Sequence, residues 1–184
     1  SFTTALPGSG ALQVTDANQD GEADILAGGQ VNLLALSVPS VALALALQPA
    51  VPQPFVVADS AANVLANLGV LQTMAAAGRL AALSLTDPGT PTLTLSWSQY
   101  TADTQALAAL TGPASLVVTG VSLANLAAVL ADSRVAGITV ADTAAALSAA
   151  LAAPTTLLNA AARLRGLAVS DAGTLTLAAG LYGL

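Results

Sequence analysis

The chain contains no cysteine, no histidine and no lysine, so arginine is its only basic residue. Without histidine it lacks the usual general base and the commonest metal ligand. Without cysteine it lacks a thiol nucleophile, and a serine nucleophile would have neither histidine nor lysine to activate it. Two carboxylates could act on a glycoside, but aromatic platforms for a sugar are nearly absent. The composition therefore predicts that the protein is not an enzyme.

Positive charge is also scarce. The 184 residues carry four basic and ten acidic side chains, which gives a formal net charge of −6. The arginines are scattered along the chain, whereas a nucleic-acid backbone is bound by clustered cations, so nucleic acid is not a predicted partner. An acidic, lysine-free composition rich in Thr, Ser and Ala is typical of extracellular bacterial proteins. We therefore expect a protein that is secreted or displayed on a cell surface.

Aromatic residues make up 3% of the chain, although hydrophobic residues make up 55%. The apolar residues are mostly Ala, Leu and Val, which provide ample material for a continuous core. Small side chains allow helices to approach a sheet closely in thin repeated layers. This composition favours a repeat protein.

Two segments of the chain repeat the same pattern. VADSAANVLANL (57–68) and VADTAAALSAAL (140–151) share a strand end, an Asp, a hydroxyl residue and an Ala-rich helix start. The similarity continues from GRLAALSLTDPGTPTLTLSWSQY (78–100) to ARLRGLAVSDAGTLTLAAGLYGL (162–184). We therefore expect copies near 57–100 and 140–184, with an intermediate unit at 101–139.

Each copy alternates strand and helix patterns. In the segment 59–78 the larger apolar residues recur at three- and four-residue spacing, as an amphipathic helix requires; they are Val64, Leu68, Leu71 and Met74. Leu107 and Leu110 predict a helix in the same way. Short apolar runs predict strands at 55–58, 83–86, 116–119, 138–141 and 167–170, with further strands from Leu93 and Leu175.

Strands that alternate with helices favour parallel strands joined by right-handed crossovers. Units of about 20 to 33 residues fall in the range of known solenoids. The predicted fold class is α/β, a right-handed β/α solenoid of stacked strand–helix repeats at 55–184. Residues 1–54 do not follow the repeat and are predicted to form an atypical N-terminal cap.

Charged residues lie where strands and helices meet. Asp59 and Asp142 come between a strand and an Ala-rich helix, which is the place of an N-cap carboxylate, and Ser122 and Asp103 are candidates for the same role. Asp87 and Asp171 open tight turns and are expected to bond their own following backbone. All four arginines are expected at helix ends, close to free carbonyls; they are Arg79, Arg134, Arg163 and Arg165.

The segment DANQDGEAD (16–24) carries oxygen-bearing side chains at alternate positions around Gly21; they are Asp16, Asn18, Asp20, Glu22 and Asp24. This spacing is similar to the start of an EF-hand or dockerin-type calcium loop, in which the Gly makes the sharp turn. The twelfth position is Ala27 instead of a bidentate acid. The segment is a candidate calcium site, and a solvated acidic turn is the alternative.

The apolar segment 31–47 is the one place where a membrane role needs testing. Pro39 and polar residues interrupt it, and it falls short of the roughly 20 apolar residues of a spanning helix. Its second half, 41–47, alternates large and small residues with a period of two, which predicts a buried strand. Insertion into a membrane is therefore disfavoured.

Trp97 and Tyr100 are the only clustered aromatic residues. Such a pair can bind a sugar or a protein partner. The alternative is that the two rings pack under a loop.

The stretch VADSAANVLANLGVLQTMAAAGRLAALSLTDPGTPTLTLSWSQYTADTQALAALTGPASLVVTGV (57–121) resembles the Ala/Leu/Thr-rich repeats of large bacterial secreted surface proteins. Those proteins are commonly exported by type I secretion, often beside calcium-binding RTX-like segments. The resemblance implies an adhesin-like or surface-layer-like repeat.

The predicted function is a structural or adhesive module, with calcium as a candidate stabiliser and self-association through the solenoid ends. The alternatives are a membrane-active secreted toxin or effector, and a domain that recognises a glycan or a protein.

Overall fold

A computed structural model describes residues 2–4, 12–15, 24–27, 30–31, 36–51 and 53–176. The strands are β1 (Phe2–Thr4), β2 (Leu12–Thr15), β3 (Asp24–Ala27), β4 (Gln30–Val31), β5 (Leu36–Val38), β6 (Phe55–Asp59), β7 (Leu80–Leu85), β8 (Thr92–Ser96), β9 (Leu110–Thr111), β10 (Ser115–Val121), β11 (Val135–Asp142) and β12 (Leu164–Val169). The helices are α1 (Val41–Leu47), α2 (Ala61–Ala66), α3 (Leu68–Ala76), α4 (Trp97–Ala102), α5 (Thr104–Ala108), α6 (Leu126–Leu130), α7 (Ala144–Ala152) and α8 (Thr155–Ala160), with a 3₁₀ turn at Leu123–Asn125.

The described strands form three four-stranded sheets. β1 to β4 make an antiparallel sheet in sequence order. The other eight strands make two parallel sheets, with the orders β5-β6-β7-β9 and β8-β10-β11-β12. The predicted α/β class with parallel strands and intervening helices is confirmed. The first parallel sheet begins at β5, which lies within the range predicted as the cap.

Alternation along the strands builds the core. In β6 the side chains of Phe55 and Val57 are buried and those of Val56 and Ala58 are half-buried. Across the second parallel sheet, Leu95 is the register partner of Val118, which in turn pairs with Ile138, and all three are fully buried. Burying a side chain of this size contributes about 1.5–3 kcal/mol. Successive strands therefore add one apolar layer each to a shared core.

The helix predicted at 59–78 is confirmed, with a break at Asn67 that divides it into α2 and α3. The residues that recur at helical spacing are all buried: Val64, Leu68, Leu71 and Met74. Most of the other positions are small or polar, which lets the helices lie close to the sheets.

The strand predicted at 41–47 is wrong, because these residues form helix α1. The hydroxyl of Ser40 accepts a hydrogen bond from the amide of Leu43 at 3.1 Å and caps the helix. Leu and Ala are strong helix formers, and burial at Val41 and Ala44 follows a spacing of three. None of the helices in the described part of the chain has the length and apolar character needed to cross a bilayer.

Other boundaries differ from the sequence prediction. Leu107 and Leu110 do not share a helix, since α5 ends at Ala108 and Leu110 begins β9. β7 and β12 each begin three residues earlier than predicted, at Leu80 and Leu164. At Leu175 and Thr176 the structure has no strand, and the rest of that predicted strand lies outside the described residues.

Gly78 ends helix α3 in a conformation that side chains disfavour. Its φ is 68°, and the amides of Gly78 and Arg79 bond to the carbonyls of Ala75 and Met74. A Cβ at Gly78 would meet no atom within 4 Å. Backbone strain alone should therefore make Gly78→Ala lower the free energy of unfolding by about 1 kcal/mol. A Cβ at Gly69, inside α3, would also meet no atom within 4 Å, and Gly69→Ala should raise the free energy of unfolding by about 0.5 kcal/mol. Urea unfolding of both variants tests this, and equal effects would contradict it.

Candidate functional site

The carboxylate of Asp59, at the end of β6, bonds to two different helix starts. Its Oδ2 accepts from the amide of Val41, the first residue of α1, at 2.8 Å. Its Oδ1 accepts from the amide of Ser60 at 2.7 Å and from Nδ2 of Asn63 at 2.8 Å. Burial raises the pKa of Asp59, but the hydrogen bonds from Asn63, Val41 and Ser60 outweigh it and lower the pKa overall. Asp59 therefore joins its own helix start to that of the strand–helix unit before it.

Asp142 repeats this arrangement in the second copy. Its Oδ2 accepts from the amide of Leu123, the first residue of the 3₁₀ turn, at 3.0 Å, and its Oδ1 accepts from the amide of Thr143 at 2.8 Å. The backbone carbonyls of Asp59 and Asp142 also have matching partners, the amides of Thr86 and Ser170, both at 2.9 Å. The two copies thus share their hydrogen bonds as well as their sequence pattern.

Asp87 and Asp171, which follow β7 and β12, also accept hydrogen bonds from the start of an earlier helix. Oδ2 of Asp87 accepts from the amide of Ala61 at 2.5 Å, and Oδ1 of Asp171 accepts from the amide of Ala144 at 3.0 Å. Ala61 and Ala144 begin α2 and α7, the helices after the preceding strands. Asp171 also bonds to the amide of Gly173, as its predicted role as a turn former requires. The sequence did not predict the longer-range bond of either residue.

We define a coil as a parallel strand and the helix or turn that follows it, and we name these carboxylates the cross-coil Asp caps: Asp59, Asp87, Asp142 and Asp171. Asp59 and Asp142 were predicted as N-caps of the helices that follow them. The N-cap positions are instead Ser60 and Thr143, whose hydroxyls accept from the amides of Asn63 and Ala146, both at 3.2 Å. The carboxylates reach back to the preceding coil, where the helix start provides free N–H groups.

Arginines make the matching contacts at the opposite helix ends. Nη2 of Arg79, just before β7, donates to the carbonyls of Gln48, at 3.1 Å, and Val51, both beyond the end of α1. Nη1 of Arg163, just before β12, donates to the carbonyl of Leu130, the last residue of α6, at 2.9 Å and to that of Asp132, beyond the helix, at 3.2 Å. These carbonyls lie at the negative end of the helix dipole. The predicted contacts of Arg79 and Arg163 with helix ends are confirmed, again with the helix of the preceding coil.

Arg134 also donates to a carbonyl of the helix in the preceding coil, and Arg165 does not. Nη1 of Arg134 donates to the carbonyl of Leu107 in α5 at 2.6 Å. Arg165 was predicted at a helix end, but it is the second residue of β12. It is exposed and donates to the carbonyl of Ala136 in the neighbouring strand at 3.3 Å. The cross-coil Arg caps are therefore Arg79, Arg134 and Arg163.

Two predicted caps are wrong. Asp103 precedes α5, but its side chain makes no hydrogen bond to that helix, and burial raises its pKa. Oε1 of Gln72, from α3, instead accepts from the amides of Gln105 and Ala106, both at 2.9 Å. The hydroxyl of Ser122 accepts from Nδ2 of Asn125 and does not bond to a helix amide.

A polar network lies beside the aromatic pair. Nε and Nη2 of Arg134 donate to the two oxygens of Asp132 at 3.1 and 2.9 Å, and the hydroxyl of Tyr100 donates to Oδ2 of Asp132 at 3.2 Å. Hydrogen bonds from Arg134 hold the pKa of Asp132 below its usual value, while burial and the charge of Asp132 raise the pKa of Tyr100. The rings of Trp97 and Tyr100 stack with centroids 5.9 Å apart and an interplanar angle of 28°.

This network borders a shallow cleft of about 230 Å³, which is lined by Tyr100, Thr101, Thr104, Leu107 and Arg134. Sequence reasoning identified Trp97 and Tyr100 but not Asp132 and Arg134, which come from a different coil. The short spacing between Asp132 and Arg134 before an apolar strand was the available signal. This spacing predicted a turn but not the contact of the turn with Tyr100.

The predicted calcium loop lies almost entirely outside the described residues, since Asp16, Asn18, Asp20 and Glu22 are not among them. Asp24 is the first residue of β3. Within the described ranges, no group of three or more Asp, Glu, His or Cys side chains is arranged to hold a metal ion. The calcium site therefore stays a prediction.

No family model, no curated protein and no solved structure matches this chain.

Proposed function

We propose that the protein is a structural repeat module of a secreted bacterial surface protein, in which the coils from β5 onward stack as a right-handed β/α solenoid behind an N-terminal cap. The observation that carries the proposal is the set of cross-coil caps. Asp59 and Asp142 make equivalent bonds in the two copies, and so do Arg79 and Arg163. A side chain that caps the helix of the preceding coil makes the stability of each coil depend on its neighbour, as in stacked repeat proteins.

The use of charge also supports a structural role. Charged side chains in the described part are engaged mainly in capping helices or in the pair of Asp132 and Arg134. Beside the cleft, the carboxylate of Asp132 is held in the ion pair with Arg134 and accepts the hydroxyl of Tyr100, so these titratable groups are paired with one another. A non-enzymatic module is the function that agrees best with this arrangement. The proposed location outside the cell rests on the acidic, lysine-free composition and on the resemblance of 57–121 to secreted surface repeats.

Self-association through a solenoid end is part of the proposal. β12 is the edge strand of the second parallel sheet among the described residues. Leu167 and Val169 in that strand are 38% and 39% exposed, and Leu158 in α8 is 66% exposed. An edge strand with exposed apolar side chains favours pairing with another chain. The membrane-active alternative has less support, because Val41 and Ala44 anchor α1 in the core and leave Leu43, which is 39% exposed, as the one large apolar side chain of α1 that is classed as exposed.

Sedimentation velocity with calcium or with EDTA tests this proposal. We expect dimers or larger species at micromolar concentration, and Leu158→Asp should shift them to monomer because it places a charge on the exposed end. Calcium should raise the melting temperature, and a variant with Asp16→Asn and Asp20→Asn should lose that response. The matched control Asn159→Asp adds the same charge at the neighbouring exposed position. A monomer at every concentration would remove self-association from the proposal, and a melting temperature unaffected by calcium would remove the metal.

A further inference from the structure

We propose that the cleft beside Tyr100 binds a single neutral pyranose ring, as the terminal sugar of a surface glycan. This site goes beyond the structural role proposed above and does not depend on it. It combines an aromatic side chain, hydrogen-bond donors and a hydroxyl in one concave surface, which is the composition of a small-ligand site.

The electrostatics of the cleft favour a neutral ligand. Both oxygens of Asp132 are bound by Arg134, so the positive charge of the guanidinium is compensated inside the protein. Arg134 also donates to the carbonyl of Leu107, and its side chain is 39% exposed. A guanidinium carries five N–H donors, so donors remain for a ligand after these bonds are made. They can bond to sugar hydroxyls without requiring a carboxylate.

The ring of Tyr100 is held in place before any ligand arrives. Trp97 stacks against it and is not among the residues that line the cleft, while the hydroxyl of Tyr100 is held by Asp132. Tyrosine presents an apolar ring beside a polar group, which suits the C–H face of a pyranose and the hydroxyls at its rim. A ring that is already ordered loses little conformational entropy on binding.

The size of the cleft limits the ligand to about one ring. Its volume of about 230 Å³ is below the roughly 300–1,000 Å³ of sites for drug-sized ligands. Thr104, the first residue of α5, lines the cleft and is exposed. Its hydroxyl makes no side-chain hydrogen bond within the described part of the chain and so can bond to a sugar.

Tryptophan fluorescence tests the inference directly, because Trp97 is the only tryptophan in the chain. The probes are the methyl glycosides of glucose, galactose and mannose, with sodium glucuronate as the charged comparison. We expect at least one neutral glycoside to change the emission of Trp97 saturably at millimolar concentration, and more strongly than glucuronate does.

Two variants distinguish the cleft from other surfaces. Thr104→Phe fills the cleft and should weaken the binding of the glycoside at least tenfold. Thr104→Leu should weaken binding by a smaller factor. Thr156→Phe places the same ring at an exposed position of α8 and should bind as the original protein does. Circular dichroism establishes that each variant is folded. The inference is overturned if no neutral glycoside saturates, if glucuronate binds more tightly, or if folded Thr104→Phe and Thr104→Leu bind unchanged. None of these results affects the self-association experiment.

Discussion

Replacement of Asp59 by alanine is expected to lower the free energy of unfolding by about 3 kcal/mol. The residue is 8% exposed, and its carboxylate accepts hydrogen bonds from Val41, Ser60 and Asn63. Removal of the carboxylate leaves the buried amide of Val41 without a partner, and an unsatisfied buried donor costs about 1–3 kcal/mol. Urea unfolding monitored by circular dichroism measures the change. Asp142→Ala, which removes two equivalent bonds at a more exposed carboxylate, should cost about half as much.

The matched control removes an acid that does not cap a helix. Asp103 is buried and makes no bond to the helix that it precedes, and burial raises its pKa. Asp103→Asn should therefore raise the free energy of unfolding at neutral pH, because the charged form is disfavoured in the folded state. If both substitutions destabilised the protein equally, the difference we assign to capping would not exist.

The contribution of Asp59 should depend on pH with a defined sign. Its folded-state pKa lies below the ordinary value of 3.8, so folding favours the ionised carboxylate. The stabilisation is fully present above about pH 4 and is lost as the pH falls through the folded-state pKa. The difference between the original protein and Asp59→Ala should therefore shrink below pH 4. A difference that grows on acidification would contradict the assignment.

Arg79→Met is expected to lower the free energy of unfolding by about 2 kcal/mol. The guanidinium donates to the carbonyls of Gln48 and Val51 and lies 5.7 Å from the centroid of the Phe55 ring. Methionine keeps most of the apolar length, so the loss reports on the charge-assisted bonds and the cation–π contact. Urea unfolding measures this change as well.

Arg165→Met is the control for Arg79→Met. Arg165 is exposed, and its one hydrogen bond to the described part of the chain is to the carbonyl of Ala136, at 3.3 Å. Its replacement should change the free energy of unfolding by less than about 0.5 kcal/mol. Similar losses for the two variants would show that a cross-coil Arg cap contributes no more than a surface arginine.

Local features of the sequence predicted much of the parallel part of the fold. The spacing of Val64, Leu68, Leu71 and Met74 predicts a helix because a turn of 3.6 residues places them on one side. The alternation at 41–47 was misleading, since Ala and Leu fit a buried strand and a helix equally well by pattern. Ser40 before this run was the N-cap signal that favours the helix.

The partners of the charged residues could not be predicted in the same way. The position of Asp87 after a strand indicates a turn, but its bond to Ala61 depends on which strands lie side by side. That order is a property of the packed sheet, in which β8 pairs with β10 and not with β7. The contact of Tyr100 with Asp132 depends on the same order. Sequence distance alone carries no signal for such contacts.

The most direct test of the cross-coil caps is an NMR measurement of scalar coupling through the hydrogen bonds themselves. A long-range HNCO experiment on the labelled protein should correlate the amide of Val41 with the side-chain carboxyl carbon of Asp59, and that of Leu123 with the side-chain carboxyl carbon of Asp142. The backbone bond from the amide of Phe55 to the carbonyl of Arg79 provides the internal reference. We predict that both carboxyl correlations appear beside the reference. If the reference is observed and both carboxyl correlations are missing, the carboxylates do not cap the preceding coil.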